Sequence, residues 1–329
     1  MELEKQFTEI TQLIAAAKER AYQAVNKELV SLYWNIGEYV SLQVNSNIWG
    51  KSVVKELSDF IQKKEPNVKG FSAQNIWRMK QFYETYKDNE KLSALPREIG
   101  WTNNVLIFTQ CKSAEELEFY LRMTLKERWA SRELERQMNS SYFERVMLSN
   151  AKLSPMLREL PQDIINTFKD TYVLELLNLP EIHQESDLRK AIAQNITKFL
   201  LEFGRDFAFM GEEYPLQVGN QDFSIDLLFY NRGLNCMVAI ELKIEKFKPE
   251  HLGQLNFYLE ALDRDVKKEH ENPSIGILLC KGKDDTVVEY AMSRNLSPAL
   301  IADYKTKLPD KALLKERWEQ IIESLKGEK

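Results

Sequence analysis

Apolar residues recur every three or four positions through the first half of the chain and gather into short runs in the second. In residues 1–44, Phe7, Ile10, Leu13, Ile14, Ala17 and Tyr22 fall near helical spacing. Val25, Leu29, Leu32, Tyr33 and Ile36 continue the pattern, which predicts one or two helices. Trp34-Asn35-Ile36-Gly37 brings an aromatic cluster suited to a helix–helix core. A second helix follows Trp49-Gly50-Lys51 to about Lys63, and Glu65–Gly70 reads as a loop. A further helix opens at Phe71-Ser72, with Ser72 as its amino-terminal cap. Residues 91–150 stay helical, with breaks around Pro96 and Gly100. Pro155, Pro161 and Pro180 punctuate residues 151–183. That places a domain boundary near Leu148–Pro161, between a helical domain (1–150) and a second domain (151–329).

The second half reads differently. Residues 185–205 predict one helix, with Leu188, Ile192, Ile196, Phe199, Leu200 and Phe203 as its apolar stripe and Gly204 at its end. Phe207–Met210 and Glu212–Val218 give a strand pair or one bent strand. Phe223–Tyr230 and Leu234–Lys243 are apolar runs joined by the turn signal Asn231-Arg232-Gly233, which predicts an antiparallel hairpin. Pro249 opens a helix. Ser274–Cys280 is a buried strand, Asp284–Arg294 a helix, Leu300–Tyr304 an edge strand and Pro309–Leu325 a final helix. The order is helix, three strands, helix, strand, helix, strand, which makes the whole an α+β chain with an all-helical amino-terminal domain.

The chemistry lies where charge interrupts the hairpin. Asp226 breaks the first run, and Glu241-Leu242-Lys243 ends the second. Side chains alternate along a strand, so Glu241 and Lys243 share a face and Leu242 takes the other. The hairpin brings Asp226 alongside. Carboxylates at the edge of a buried sheet are costly unless paired. A bound Mg²⁺ or Mn²⁺ would supply the reason for them, because hard cations prefer carboxylate, carbonyl and water oxygens. A salt bridge or a solvent-facing patch is the plainer account of any one of these residues. The combination of acid, turn and acid-x-lysine favours a site.

These residues resemble the PD-(D/E)xK nuclease superfamily. The closer resemblance is to the YhcG family, through IDLLFY, VAIELK, FKPEHLGQLNFYLEALD and NPSIGILLCKGKDDTVVEYA. WNIGEYV, WGKSVV and KGFSAQNIWRMKQFYETY extend the likeness to the helical half. The resemblance implies a restriction-endonuclease-like αβββαβ fold, with Asp226, Glu241 and Lys243 as the metal-and-water trio and the Leu242 carbonyl as a further ligand. It also implies Gln254 and Tyr258 as a QxxxY element that places the nucleic-acid strand. Glu185 matches an acid that the helix before the first strand contributes to such sites, whereas Arg189 stands where a second acid is expected.

Composition qualifies this picture. The chain has 329 residues, 43% hydrophobic and 29% charged, enough for two ordinary domains. No run approaches the ~18 apolar residues of a membrane span, and the polar amino terminus lacks a secretory core. Three widely spaced cysteines suit a reducing cytoplasm rather than a disulfide framework. A net charge of −5 stands against a nucleic-acid partner, although a basic face can coexist with acidic helices.

In the helical half, the helix–loop–helix layout resembles a helix-turn-helix reader, with Gln74, Asn75, Arg78 and Lys80 able to reach bases or phosphates. An ordinary helical hairpin is the commoner explanation. The aromatic-rich amino-terminal helices could form an interface between copies. The expectation is therefore a Mg²⁺- or Mn²⁺-dependent nuclease acting on DNA. The alternative is an inactive DNA-binding or assembly module on a nuclease fold.

Overall fold

The structure is a computed structural model that describes residues 2–89, 91–149, 153–158 and 168–327. The chain divides into two compact units, Met1–Arg136 and Gln137–Lys329. Of the stretch expected to hold the domain boundary, Leu148–Pro161, residues 150–152 and 159–161 lie outside the described residues.

The first unit is helical. Its elements are α1 (Glu2–Asn45), α2 (Lys51–Lys64), α3 (Ala73–Tyr86), α4 (Trp101–Gln110) and α5 (Ala114–Glu127), followed by α6 (Ser131–Asn139), which runs across the division. Residues 2–44 thus belong to a single helix. Ser72 caps α3, its side chain accepting from the Asn75 amide. The core is aromatic: Trp34, Phe82, Tyr86, Trp101 and Phe108 meet edge-on or tilted, the geometry that ring quadrupoles favour.

Gly37 is where α1 crosses α3. A Cβ there would lie 2.1 Å from the Met79 carbonyl oxygen, which is backbone and cannot swing aside. Gly37→Ala is therefore expected to cost ~1–3 kcal/mol by forcing the two helices apart. Urea unfolding of the full chain, followed by tryptophan fluorescence, would measure that loss.

The second unit opens with α7 (Tyr142–Met147) and α8 (Pro155–Arg158). Then come β1 (Thr171–Val173), α9 (Glu185–Gln194), α10 (Ile196–Phe203), β2 (Phe207–Val218), β3 (Gln221–Asn231) and β4 (Cys236–Lys246). The chain continues through α11 (His251–Ala261), β5 (Ile275–Gly282), α12 (Asp285–Met292), β6 (Ala299–Lys305) and α13 (Lys311–Gly327). The six strands form one sheet in the order β1-β6-β5-β4-β3-β2. The β2–β3–β4 meander is antiparallel, and β4, β5, β6 and β1 are mutually parallel. This is the restriction-endonuclease-like αβββαβ arrangement with further elements at its margins.

Both faces of the sheet are covered. Leu188 and Ile192 of α9 and Phe199 and Phe203 of α10 pack on one face, against Leu227, Phe229, Ile240 and Leu242. Leu255, Tyr258 and Leu259 of α11 and Val288 and Met292 of α12 cover the other.

Three local expectations are corrected, and one that left two alternatives is resolved. The helix over 185–205 is two helices, broken at Asn195, whose side-chain amide donates to the Ala191 carbonyl. Asparagine competes in this way with the helical ladder. Of the two alternatives for residues 207–218, the structure has the single bent strand, with a bulge between Phe209 and Gly211. The hairpin loop extends beyond Asn231-Arg232-Gly233 to Asn235, which takes the left-handed conformation (φ 51°), so β4 begins at Cys236. Finally, the Leu300–Tyr304 strand is not at the edge, because Thr171–Val173 pairs with β6 on its outer side.

Candidate active site

Asp226, Glu241 and Lys243 come together through the β3–β4 ladder, in which Leu227 pairs with Ile240. Asp226 lies just beyond the last pair. Its Oδ2 accepts from the Leu242 amide at 2.9 Å, tying β3 to β4 just past the end of their ladder. The Leu242 side chain points into the core, on the α9–α10 face of the sheet. Glu241 and Lys243 lie together, with Lys243 Nζ donating to Glu241 Oε1 at 3.0 Å.

Glu241 is the unusual group. Its side chain is buried among apolar strands, and its Oε2 accepts no hydrogen bond from the described residues. Burial first, and then the Asp226 carboxylate, push its pKa up to about 7, against the pull of Lys243. An acid in this state lacks a positive partner on one oxygen. For Lys243, burial works against the charge, but Glu241, Glu185 and Asp226 together outweigh it and raise its affinity for the proton. The ammonium is thus held charged at the centre of three acids.

Glu185, the first residue of α9, approaches Lys243 at 3.6 Å. One turn on, Arg189 reaches the same place by the i,i+4 relation of a helix. Its guanidinium lies 3.1 Å from Asp226 Oδ1 and 2.7 Å from Glu213 Oε1 on β2. On α11, Gln254 donates to the Tyr258 hydroxyl at 2.9 Å. Tyr258 is nearly buried; burial raises its phenol's pKa, with smaller contributions from Glu241 and Asp226. The QxxxY amide and hydroxyl thus bond to each other, with Tyr258 within electrostatic reach of the same carboxylates.

The donor set suits a hard cation. Among the described residues, no three His, Cys, Asp or Glu side chains converge as a ready-made cage. Two carboxylates with an orphaned, buried oxygen between strands match the needs of Mg²⁺, which keeps several of its waters and uses one or two protein carboxylates. Asp226, Glu241 and the Leu242 backbone are the groups that could hold it.

The four residues singled out on α3 fare differently. Asn75 is tied into the fold: its Nδ2 donates to the Gly70 carbonyl and its Oδ1 accepts from Trp101 Nε1 at 2.9 Å. Lys80 pairs with Glu84 at 2.7 Å. Gln74 is exposed and Arg78 half-buried, and neither makes a side-chain hydrogen bond among the described residues.

Glu213 was not expected at this site. Its only signal was register: it stands opposite Asp226, between the pairs Glu212–Leu227 and Tyr214–Ile225, in the register that runs unbroken from the turn joining Val218 to Gln221.

Comparison with known proteins bears on both units. The family model for the DUF1016 N-terminal domain matches residues 9–145, and that for the YhcG PDDEXK nuclease domain matches residues 165–319. The Escherichia coli (strain K12) protein named "Putative nuclease YhcG" is 30% identical over 345 residues, which covers 93% of this chain and 90% of that protein. Among solved structures, a repair endonuclease from Pyrococcus abyssi overlaps at 19% identity and TM-score 0.28, covering 39% of this chain and 49% of that one. The EndoMS-dsDNA2 complex overlaps at 18% identity and TM-score 0.27, covering 40% of this chain and 47% of that one. The chain thus spans about half the length of these two structures, and overlaps so partial say nothing of substrate.

Proposed function

This chain belongs to the YhcG family, with a DUF1016 amino-terminal domain and a PDDEXK nuclease domain, and we propose that it is a Mg²⁺- or Mn²⁺-dependent nuclease hydrolysing phosphodiester bonds in DNA. The observation that carries this reading is the Glu241 carboxylate, buried beside Asp226 with Oε2 unsatisfied. A purely structural acid in that place would be expected to find a donor.

A divalent ion held by Asp226, Glu241 and the Leu242 carbonyl would supply Lewis acidity and lower the pKa of a bound water. The chain's own residues do the rest. Lys243, charged and largely enclosed, can donate to an attacking water or to a phosphate oxygen as negative charge develops there. Glu185 keeps that ammonium turned toward the strand ends. Gln254 and Tyr258 offer donors for the strand bearing the scissile bond. We place the activity in the cytoplasm, in keeping with Cys111, Cys236 and Cys280, none of which is in a disulfide among the described residues. No helix among those residues is long and apolar enough to cross a membrane.

The test is cleavage of linear, circular, single-stranded and branched DNA with Mg²⁺ or Mn²⁺. Activity lost in EDTA and in Asp226→Asn supports the enzyme, whereas cleavage that survives both would refute the site. A second reading, an inactive module on a nuclease fold, draws on Arg189, which already supplies a cation to Asp226. Absence of Mn²⁺ binding together with absence of cleavage would favour it.

For the helical unit we propose self-association through α1, with Gln74 and Arg78 free to contact DNA backbone. Phe7, Ile10, Ile14, Val25, Leu29 and Leu32 lie along one side of α1 and are 37–67% exposed. Residues 7–25 are exposed throughout, and an isolated helix owes little of its stability to propensity alone. Two such stripes facing one another would bury on the order of 1,000 Å², the lower bound of a specific interface. Light scattering after size-exclusion chromatography is expected to report a dimer, and Ile10→Glu with Ile14→Glu a monomer. A monomeric wild type at micromolar concentration would refute this.

A further inference from the structure

Arg189 has no role in the chemistry described above, yet it occupies the most sensitive place in it. On the reading that Asp226 and Glu241 hold a divalent ion, we propose that the Arg189 guanidinium is a built-in competitor of that ion. It holds Asp226 in the metal-free protein and withdraws onto Glu213 when the metal enters.

Three observations carry this. First, each Asp226 oxygen already has a partner: Oδ1 faces Arg189 at 3.1 Å, and Oδ2 accepts from the Leu242 amide at 2.9 Å. The amide belongs to the fold. The guanidinium is the removable partner, and a cation approaching Oδ1 meets its positive charge there. Second, Arg189 does not depend on Asp226 for its place. Its other nitrogen is 2.7 Å from Glu213, a carboxylate that is 60% exposed and outside the candidate ligand set. A planar fork with several donors can release one carboxylate and keep the other, which a point charge on a lysine cannot do as well.

Third, the place calls for a cation. Glu213 and Asp226 face each other across adjacent antiparallel strands, where like charges repel. Glu213 also sits in the left-handed backbone region (φ 45°), unfavourable for a residue with a Cβ. The fold thus maintains an acid pair that needs a positive charge between its members. Arg189 supplies that charge when no metal is present. The cost is weaker metal binding, set by the strength of one ion pair. A static salt bridge would have the same two partners but would not need to yield.

The experiment is calorimetric titration of the metal-free full chain with Mn²⁺, in the absence of nucleic acid, so that the readout does not depend on turnover. Arg189→Ala is expected to tighten Mn²⁺ binding about tenfold or more. Glu213→Gln is expected to weaken it, because Arg189 then rests on Asp226 alone. In the double variant, affinity should return most of the way to that of Arg189→Ala, since Glu213 acts chiefly through Arg189. Arg189→Lys serves if the alanine variant fails to fold, with an intermediate tightening expected.

Unchanged or weaker binding in folded Arg189→Ala would overturn the proposal. So would a Glu213→Gln effect that persists in full in the double variant. If Mn²⁺ binds and Asp226→Asn abolishes it while Arg189→Ala has no effect, the metal site stands and the competitor falls. If neither wild type nor Arg189→Ala binds Mn²⁺, both fall.

Discussion

Glu241→Gln is expected to eliminate cleavage, by at least ~10³-fold, while leaving the protein as stable as before or more so. The first half follows from chemistry: the amide removes a buried carboxylate whose Oε2 accepts no hydrogen bond from the described residues, and a factor of 10³ corresponds to ~4 kcal/mol of lost transition-state stabilisation. The second half follows from burial. Burial and Asp226 raise the pKa of Glu241 to about 7, above its unfolded value. The folded state therefore favours the protonated form. Its charged form weighs against stability increasingly as pH climbs from the unfolded value toward about 7, and in full above that. Glutamine has no charge to bury, so the metal-free variant at pH 8 should melt no lower than wild type. Paired cleavage assays and melts check both halves. Retained cleavage removes Glu241 from the site, and loss of cleavage with a lowered melt would mean a structural role instead.

Glu202→Ala is expected to have the largest effect on stability. Glu202 has no exposed side-chain surface. Its Oε1 accepts from the Val173 amide at 3.1 Å and lies 3.1 Å from Lys169 and 3.6 Å from Arg145, while Oε2 accepts from Gln137 at 3.2 Å. One carboxylate thus ties α10 to the outer strand β1 and to the cations that flank it. Removing it leaves two nearly buried positive charges without their shared partner, a change that typically costs ~3–5 kcal/mol. For a unit of this size that lowers the melting temperature by roughly 10 °C. Calorimetry of the full chain would measure the shift. A loss under ~1 kcal/mol would mean that Lys169 and Arg145 reach water once the acid is gone. The sheet should loosen first at β1, which hydrogen exchange at Tyr172 and Val173 would report.

Much of this protein was legible as pattern. Helical spacing in the first half and the order of runs in the second gave the elements, because each follows from which face of a helix or strand is apolar. Asp226, Glu241 and Lys243 stood out as charges inside apolar runs, and strand alternation was enough to put Glu241 and Lys243 on one face. Thr171–Val173 was not recognisable as a strand. It is three residues long, and its place beside β6 depends on a contact more than 100 residues away in the chain. Glu202 was equally hidden. In a helix whose stripe includes Phe199, Leu200 and Phe203, an acid beside the stripe reads as solvated, and only packing shows it fully enclosed. Asn75 and Lys80 looked available for DNA because their partners, Gly70, Trp101 and Glu84, could not be assigned from spacing.

By itself, then, the sequence determined the class of fold, the family and the identity of the charged hairpin, since these depend on periodicity and on residues close together in the chain. The tertiary structure alone decided which partners those charges have. Arg189 was visible as a departure from pattern, but its grip on Asp226 and Glu213 required the register of β2 against β3 and the position of α9. Register is set by bulges and by packing on both sheet faces. A one-residue slip would move Glu213 to the opposite side of the sheet and leave Asp226 with a different cation.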